Sequence, residues 1–220
     1  MNDAYLYDKS YFARHYTEDK KRDVMYSQEL QRIIKRKPHG GKVLDIGCGV
    51  GNFLALFDDR WTKHGIEPSQ YAAGLAFSKG IHIVVDIHNS SAEYYDLVIF
   101  RGTLQHIYNP LETLAEAQRV LKPGGLIVFL ATPDADSIVY HIWKTLPPLD
   151  APRNWVVMGS KTLQNILTRL GFVEIEIIHP YLGTPYANPI MDILNFILSF
   201  IKYRKFAFPG NMMEVYAVKR

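Results

Sequence analysis

The stretch VLDIGCGVG, residues 43–51, decides how the rest of the chain is read. A β-branched apolar run meets an acidic residue and then glycine at every second position, Gly47, Gly49 and Gly51. Glycine lets the chain turn sharply and bring its backbone close to a ligand, because no Cβ stands in the way. A P-loop needs Lys and then Ser or Thr after its last glycine, and Asn52-Phe53 supplies neither. A dinucleotide loop is spaced G-x-G-x-x-G, and its third glycine position here is Asn52. Asp45, two residues before the first glycine, would repel a pyrophosphate and suits an ammonium or hydroxyl groups. Glu67, in GIEP at the tip of the next strand, can take both hydroxyls of a ribose. The pair points to an adenosine joined to something cationic.

The surrounding pattern supports an open α/β fold. Segments 42–46, 63–67, 81–85, 97–101 and 126–131 are short, nearly continuous apolar runs, as strands covered on both faces are. Between them, 52–57, 69–79 and 111–121 have helical spacing, with Ser69 a candidate N-cap and Leu111, Leu114, Ala115 and Leu121 on one face. A helix over 160–170 opens on a serine and stops at Gly171. Two later strands, 172–178 and 213–219, can pair antiparallel at one edge. The expected fold is a Rossmann-like, seven-stranded, mostly parallel sheet with one antiparallel strand and helices on both faces.

With 220 residues, 48% hydrophobic and 21% charged, the chain suits a single globular domain, residues 1–220. Its net charge of +3 leaves no footprint for a nucleic-acid partner. The single cysteine, Cys48, excludes an internal disulfide and fits a reducing compartment. The opening MNDAYLYDKSYFARHY lacks the basic-then-apolar pattern of a secretory signal, and no apolar run is long enough for a transmembrane segment. A cytoplasmic location is the default expectation.

VLDIGCGVG with GIEP, then VVD, then YDLVIFRGTLQHIYNP and RVLKPGGLIVFLATP, resembles the class I S-adenosylmethionine-dependent methyltransferases over roughly residues 7–171. The nearest flavour is the small-molecule branch, similar to quinone-biosynthesis and polysaccharide-associated enzymes. The resemblance implies S-adenosylmethionine as cofactor. Gly47, Cys48 and Gly49 would lie along its methionine part, with Asp45 near the amino group. Glu67 would hold the ribose, and Pro68 would shape the adenine wall. Asp86 would reach the adenine amino group, with Ile87 beside it. Arg101 and Gly102 would stand near the sulfonium end.

Methyl transfer from a sulfonium needs an aligned nucleophile and a place for its proton. His106, after the fourth strand, is the candidate base, because imidazole titrates in the right range. Quinone-type relatives can place a metal here with the help of acidic neighbours; this chain has Gln105 there, so no metal is expected. The acceptor pocket is expected from an N-terminal helical cap over residues 1–40, with Tyr11 and Tyr16, and from lid-like insertions at 133–158 and 180–210. Trp143, Arg153 and His106 are its further candidates. Asn154 stands where relatives often carry histidine.

Segment 188–205 places Asp192, Asn195 and Ser199 on one polar stripe of an otherwise apolar helix, followed by Lys202, Arg204 and Lys205. It reads either as a helix for a membrane surface or lipid carrier, or as a lid or dimer contact. The chain is expected as a monomer or homodimer. Its acceptor is expected to be a small molecule, O- or N-methylated, in polysaccharide, lipid or secondary-metabolite biosynthesis. A cofactor-binding module without turnover and a quinone or phenol O-methyltransferase are the alternatives, with an NAD-dependent reductase far behind. The fourth strand ends in Arg101-Gly102-Thr103-Leu104, not in the Asn/Asp-Pro-Pro-aromatic motif of nucleic-acid or protein amino methylation.

Overall fold

The computed structural model describes residues 20–146, 149, 153–182, 184, 186–202, 204 and 206–220. Tyr11 and Tyr16 lie outside the described residues. Helix α1 (Lys20–Arg36) carries Asp23 in its first turn and Lys35 and Arg36 in its last, in keeping with the helix dipole. Strand β1 (Gly41–Ile46), β2 (Trp61–Ile66), helix α2 (Gln70–Phe77) and the short β3 (His82–Ile83) follow. Then come β4 (Tyr95–Arg101), α3 (Pro110–Val120) and β5 (Leu121–Pro133). The chain ends with α4 (Ile138–Trp143), α5 (Ser160–Arg169), β6 (Phe172–Ile178), α6 (Pro189–Leu198) and β7 (Met212–Lys219).

The seven strands are ordered β3-β2-β1-β4-β5-β7-β6. All neighbours are parallel except β7, which runs antiparallel to both β5 and β6. This is the expected seven-stranded sheet. Along β4, Val98 and Phe100 join Leu44, Ile127 and Phe129 in one core, against α3 and α5. Leu97 and Ile99 join Val43, Trp61 and Val128 in a second core, closed by Met25, Tyr26 and Ile33 of α1. Burial on both faces is why these strands show no alternation in sequence. Each such fully buried side chain contributes roughly 1.5–3 kcal/mol of transfer free energy.

Helix α1 is also clipped to the sheet by charge. Arg32 donates to both carboxylate oxygens of the buried Glu214 at 2.6 and 2.9 Å. Arg36 pairs with Glu176 on β6.

Several local expectations change. The helix expected over 52–57 is a single 3₁₀ turn, Leu54–Leu56. Strand β3 is reduced to two residues, and Val85 beyond it is exposed. On α3 the buried face is Leu114, Ala117 and Val120, while Leu111 faces solvent. Gly159, not Ser160, occupies the N-cap of α5. The N–H groups there are satisfied from another segment: Asp134 Oδ1 accepts from Ser160 at 2.9 Å and Asp136 Oδ2 from Lys161 at 2.9 Å. Ser69 is the N-cap of α2 without a side-chain cap bond, and its own N–H donates to Glu67 Oε1.

Candidate active site

The carboxyl ends of β1, β2 and β4 meet where an open α/β sheet places its ligands. After Ile46 the chain turns at Gly47, whose φ of +78° excludes ordinary side chains. A Cβ there would also lie 2.5 Å from the Thr103 side chain. The N–H groups of Gly47 and Cys48 both donate to Ile66 O, at 2.8 and 3.1 Å, which pins the loop to the end of β2. Gly65 explains why that approach is feasible: a Cβ on it would come within 2.5 Å of Cys48 Sγ. Cys48 thus turns its thiol into the core, and burial pushes its pKa up.

Glu67 braces the same loop. Its Oε2 accepts from Gly49 N at 2.9 Å and its Oε1 from Ser69 N at 2.8 Å. Burial raises its pKa, and those two N–H groups oppose the rise. Each oxygen keeps a further lone pair for a hydroxyl donor.

Asp45 is 2% exposed, and its Oδ1 has no hydrogen-bond partner. Burial lifts its pKa to about 7; Arg101 opposes the rise, while Glu67 and Glu29 add to it. The pocket beside it is lined by Tyr26, Asp45, Gly47, Cys48, Asn52, Phe53 and Arg101. Arg101 lies across the Tyr26 ring, 4.0 Å from its centroid, and donates to Glu29 through Nε at 2.8 Å. Burial works against the guanidinium charge, but Glu29 more than compensates, and the pKa of Arg101 is raised. Glu29 is itself pushed up by burial and pulled back by Arg101. Asp45 thus feels two further carboxylates and one guanidinium, a formal excess of negative charge. A buried carboxyl with an unpartnered oxygen in such a field fits a cationic, hydrogen-donating ligand and disfavours a pyrophosphate.

The remaining candidates fall around this centre. Pro68 is exposed and Ile87 is buried. Asp86 is exposed; it accepts from His88 N at 3.0 Å and meets His88 Nδ1 at 2.6 Å, which holds its carboxyl below the usual range. Gly102 turns the chain after β4 with φ +62°. His106 ends the 3₁₀ turn Leu104–His106. Its Nδ1 lies 2.8 Å from Arg153 O, which as a carbonyl must accept the proton. That tautomer puts the lone pair on Nε2, which Gln105 Nε2 approaches at 3.2 Å. Arg153 thereby meets His106 through its backbone. Trp143 belongs to a separate small core with Phe196 and Phe206, and its Nε1 donates to Ser199 O at 3.1 Å.

Tyr26, Glu29, Asn52 and Phe53 were not legible as site residues. One signal for Glu29 existed: it lies on the face of α1 that also carries Met25, Tyr26 and Ile33, all buried. A carboxylate on an apolar helix face demands a buried partner. The sequence does not say that the partner is Arg101.

The sequence pattern of the family described as "Methyltransferase domain" matches residues 16–177. The uncharacterized protein MJ1123 of Methanocaldococcus jannaschii is 28% identical over 161 residues, covering 70% of this chain and 75% of that protein. A malonyl-[acyl-carrier protein] O-methyltransferase of Paenibacillus is 24% identical over 204 residues, 80% of this chain and 72% of that one. Among solved structures, a SAM-dependent methyltransferase of Thermotoga maritima, described as a possible histamine N-methyltransferase, superposes with TM-score 0.65. It is 21% identical and covers 91% of each chain, a likeness of fold.

Proposed function

We propose that this chain, which belongs to the methyltransferase-domain family and is an S-adenosylmethionine-dependent methyltransferase, delivers its methyl group to an oxygen or nitrogen of a small-molecule acceptor. The observation that carries the reading of the site is the buried, unpartnered Asp45 Oδ1 in a negative field. Asp45 would take the ammonium of the cofactor's amino-acid end, and Arg101 its carboxylate. Gly47, Cys48 and Gly49 would follow that end with their backbone. Glu67 would accept both ribose hydroxyls while still bracing Gly49. Pro68, Asp86 and Ile87 would border the adenine, and Gly102 would leave room at the sulfonium.

When bound, the cofactor supplies a methyl group already activated on a positive sulfur, so the chain's own work is alignment and proton handling. His106 is the proposed proton acceptor. The Arg153 carbonyl holds its Nδ1–H, which keeps Nε2 basic; Gln105 must yield that lone pair to the acceptor's proton.

Calorimetry with S-adenosylhomocysteine tests the cofactor site. Glu67→Gln trades an acceptor for a donor facing two N–H groups and is expected to weaken binding about 10- to 100-fold. Unchanged affinity sinks the assignment of Glu67; tight NAD binding in place of S-adenosylhomocysteine sinks the cofactor reading of the site. Turnover across a panel of phenols, amines and hydroxylated small molecules tests the acceptor class. Product from none of them, with cofactor binding intact, favours a binding module without turnover. In that assay His106→Ala should cut the rate about 10²- to 10⁴-fold at unchanged cofactor affinity. A rate equal to the unaltered chain's removes His106 from proton transfer.

A further inference from the structure

Helix α6 is built inside out for an aqueous surface. Its polar stripe points inward. Asp192 is 5% exposed, and its carboxylate accepts from Tyr181 Oη at 2.9 Å, Asn188 N at 2.8 Å and Ala207 N at 3.0 Å. Ser199, also buried, accepts from Arg204 N at 2.9 Å through Oγ, and its carbonyl receives Trp143 Nε1. The Trp143 ring meets Phe196 edge-on at 5.5 Å. With Asp192 and Ser199 consumed inside, the helix turns Ile190, Ile193, Leu194, Ile197, Phe200 and Ile201 outward, each 46–88% exposed. Six large apolar side chains on ten helical residues and the turn after them form a built face, not scattered surface residues.

The charge around that face selects its occupant. Between residues 180 and 210 the sequence has one acidic residue, Asp192, and that one is buried. The charges described at the surface there are cationic: Lys202 and Arg204 follow the helix, and Lys144 stands exposed at the end of neighbouring α4. An apolar helix face flanked by cations complements an anionic lipid surface, with side chains among the acyl boundary and cations among the headgroups. A two-fold pairing of copies makes an interface self-complementary, which sets this cationic surround against itself. No helix of the described residues is long and apolar enough to cross a membrane, so the contact is one of lying on the surface.

We propose that α6 and the turn after it dock this protein on an anionic membrane surface. The assignment is independent of the reading of the cofactor site. The test is co-sedimentation of the full chain with phosphatidylcholine vesicles, with and without phosphatidylglycerol, at low and high salt. Binding is expected only with phosphatidylglycerol present and should weaken strongly as salt screens the cations. Lys202→Ala/Arg204→Ala should lower partitioning by roughly tenfold or more, each cation being worth about fivefold. Ile193→Ser/Ile197→Ser should lower it at least about tenfold. Both positions are exposed, so the thermal midpoint and S-adenosylhomocysteine affinity should stay unchanged. No binding to either vesicle, or binding indifferent to phosphatidylglycerol and salt, overturns the proposal. So does a dimer in sedimentation velocity that Ile193→Ser/Ile197→Ser dissolves, because a second copy would then be the occupant.

Discussion

Arg101→Leu is expected to lower the free energy of unfolding by about 3–5 kcal/mol, because it strands a buried carboxylate. Glu29 is 1% exposed and receives its hydrogen bonds from Arg101 Nε and Nη2. Leucine keeps much of the volume against Tyr26 and Phe53 but leaves Glu29 with neither charge nor donor. Urea denaturation measures the loss. Adding Glu29→Met to Arg101→Leu should recover most of it, since an apolar pair of similar size replaces an ion pair at little cost. If Arg101 also receives the cofactor's carboxylate, the stable double variant still binds S-adenosylhomocysteine poorly. A stability within 1 kcal/mol of the unaltered chain for Arg101→Leu alone would contradict the buried pair.

Asp45→Asn is expected to move stability and binding in opposite directions. Asp45 titrates near 7 in the fold and near 3.9 in an unfolded chain. Between those values the folded state holds a proton that the unfolded state has lost. Stability from this group therefore falls as pH rises through that window, by at most about 4 kcal/mol above pH 7. Asparagine removes the titration, so the variant should be more stable at pH 8 by roughly 1–4 kcal/mol and no more stable at pH 4. Binding runs the other way. An ammonium ligand requires the ionised carboxyl, so affinity for S-adenosylhomocysteine should fall about tenfold per unit as pH drops below 7. Asp45→Asn should abolish that slope and bind weakly at every pH. Thermal melts at two pH values and calorimetry across the range decide it; a pH-independent affinity in the unaltered chain would refute the role of Asp45.

The glycine loop and the strand ends beside it were legible because their signals are local. Glycine at alternate positions, an acidic residue inside a strand and a carboxylate at the next strand's tip each carry their meaning within a few residues. The antiparallel β7 was also readable as one of two late strands without a helical crossover. Other features depend on groups far apart in sequence. The α5 cap comes from Asp134 and Asp136, some two dozen residues upstream. The pairing of Glu29 with Arg101 spans 72 residues. The polar stripe of α6 was seen in the sequence, but its inward direction follows from Tyr181, Ala207 and Trp143 converging on it. His106 could be named as a candidate, whereas its tether to the Arg153 carbonyl could not, because a backbone acceptor leaves no mark in a sequence.

The clasp around Asp134 has a consequence for how this molecule can diversify. The carboxylate of Asp134 grips Ser160 N with one oxygen and His179 with the other, at 2.9 and 2.8 Å. The segment from Asp134 to Ser160 therefore leaves and rejoins the body at one point. A second segment is closed where Ile178 pairs with Glu214. With the ends of both segments tied, lengthening either one costs only about 0.6 kcal/mol per doubling of its length. Sequence can be spliced into or out of these two segments while the ladder beneath and the glycine loop keep their register. Length in these two segments is thereby cheap for a lineage to change, and the glycine loop is not.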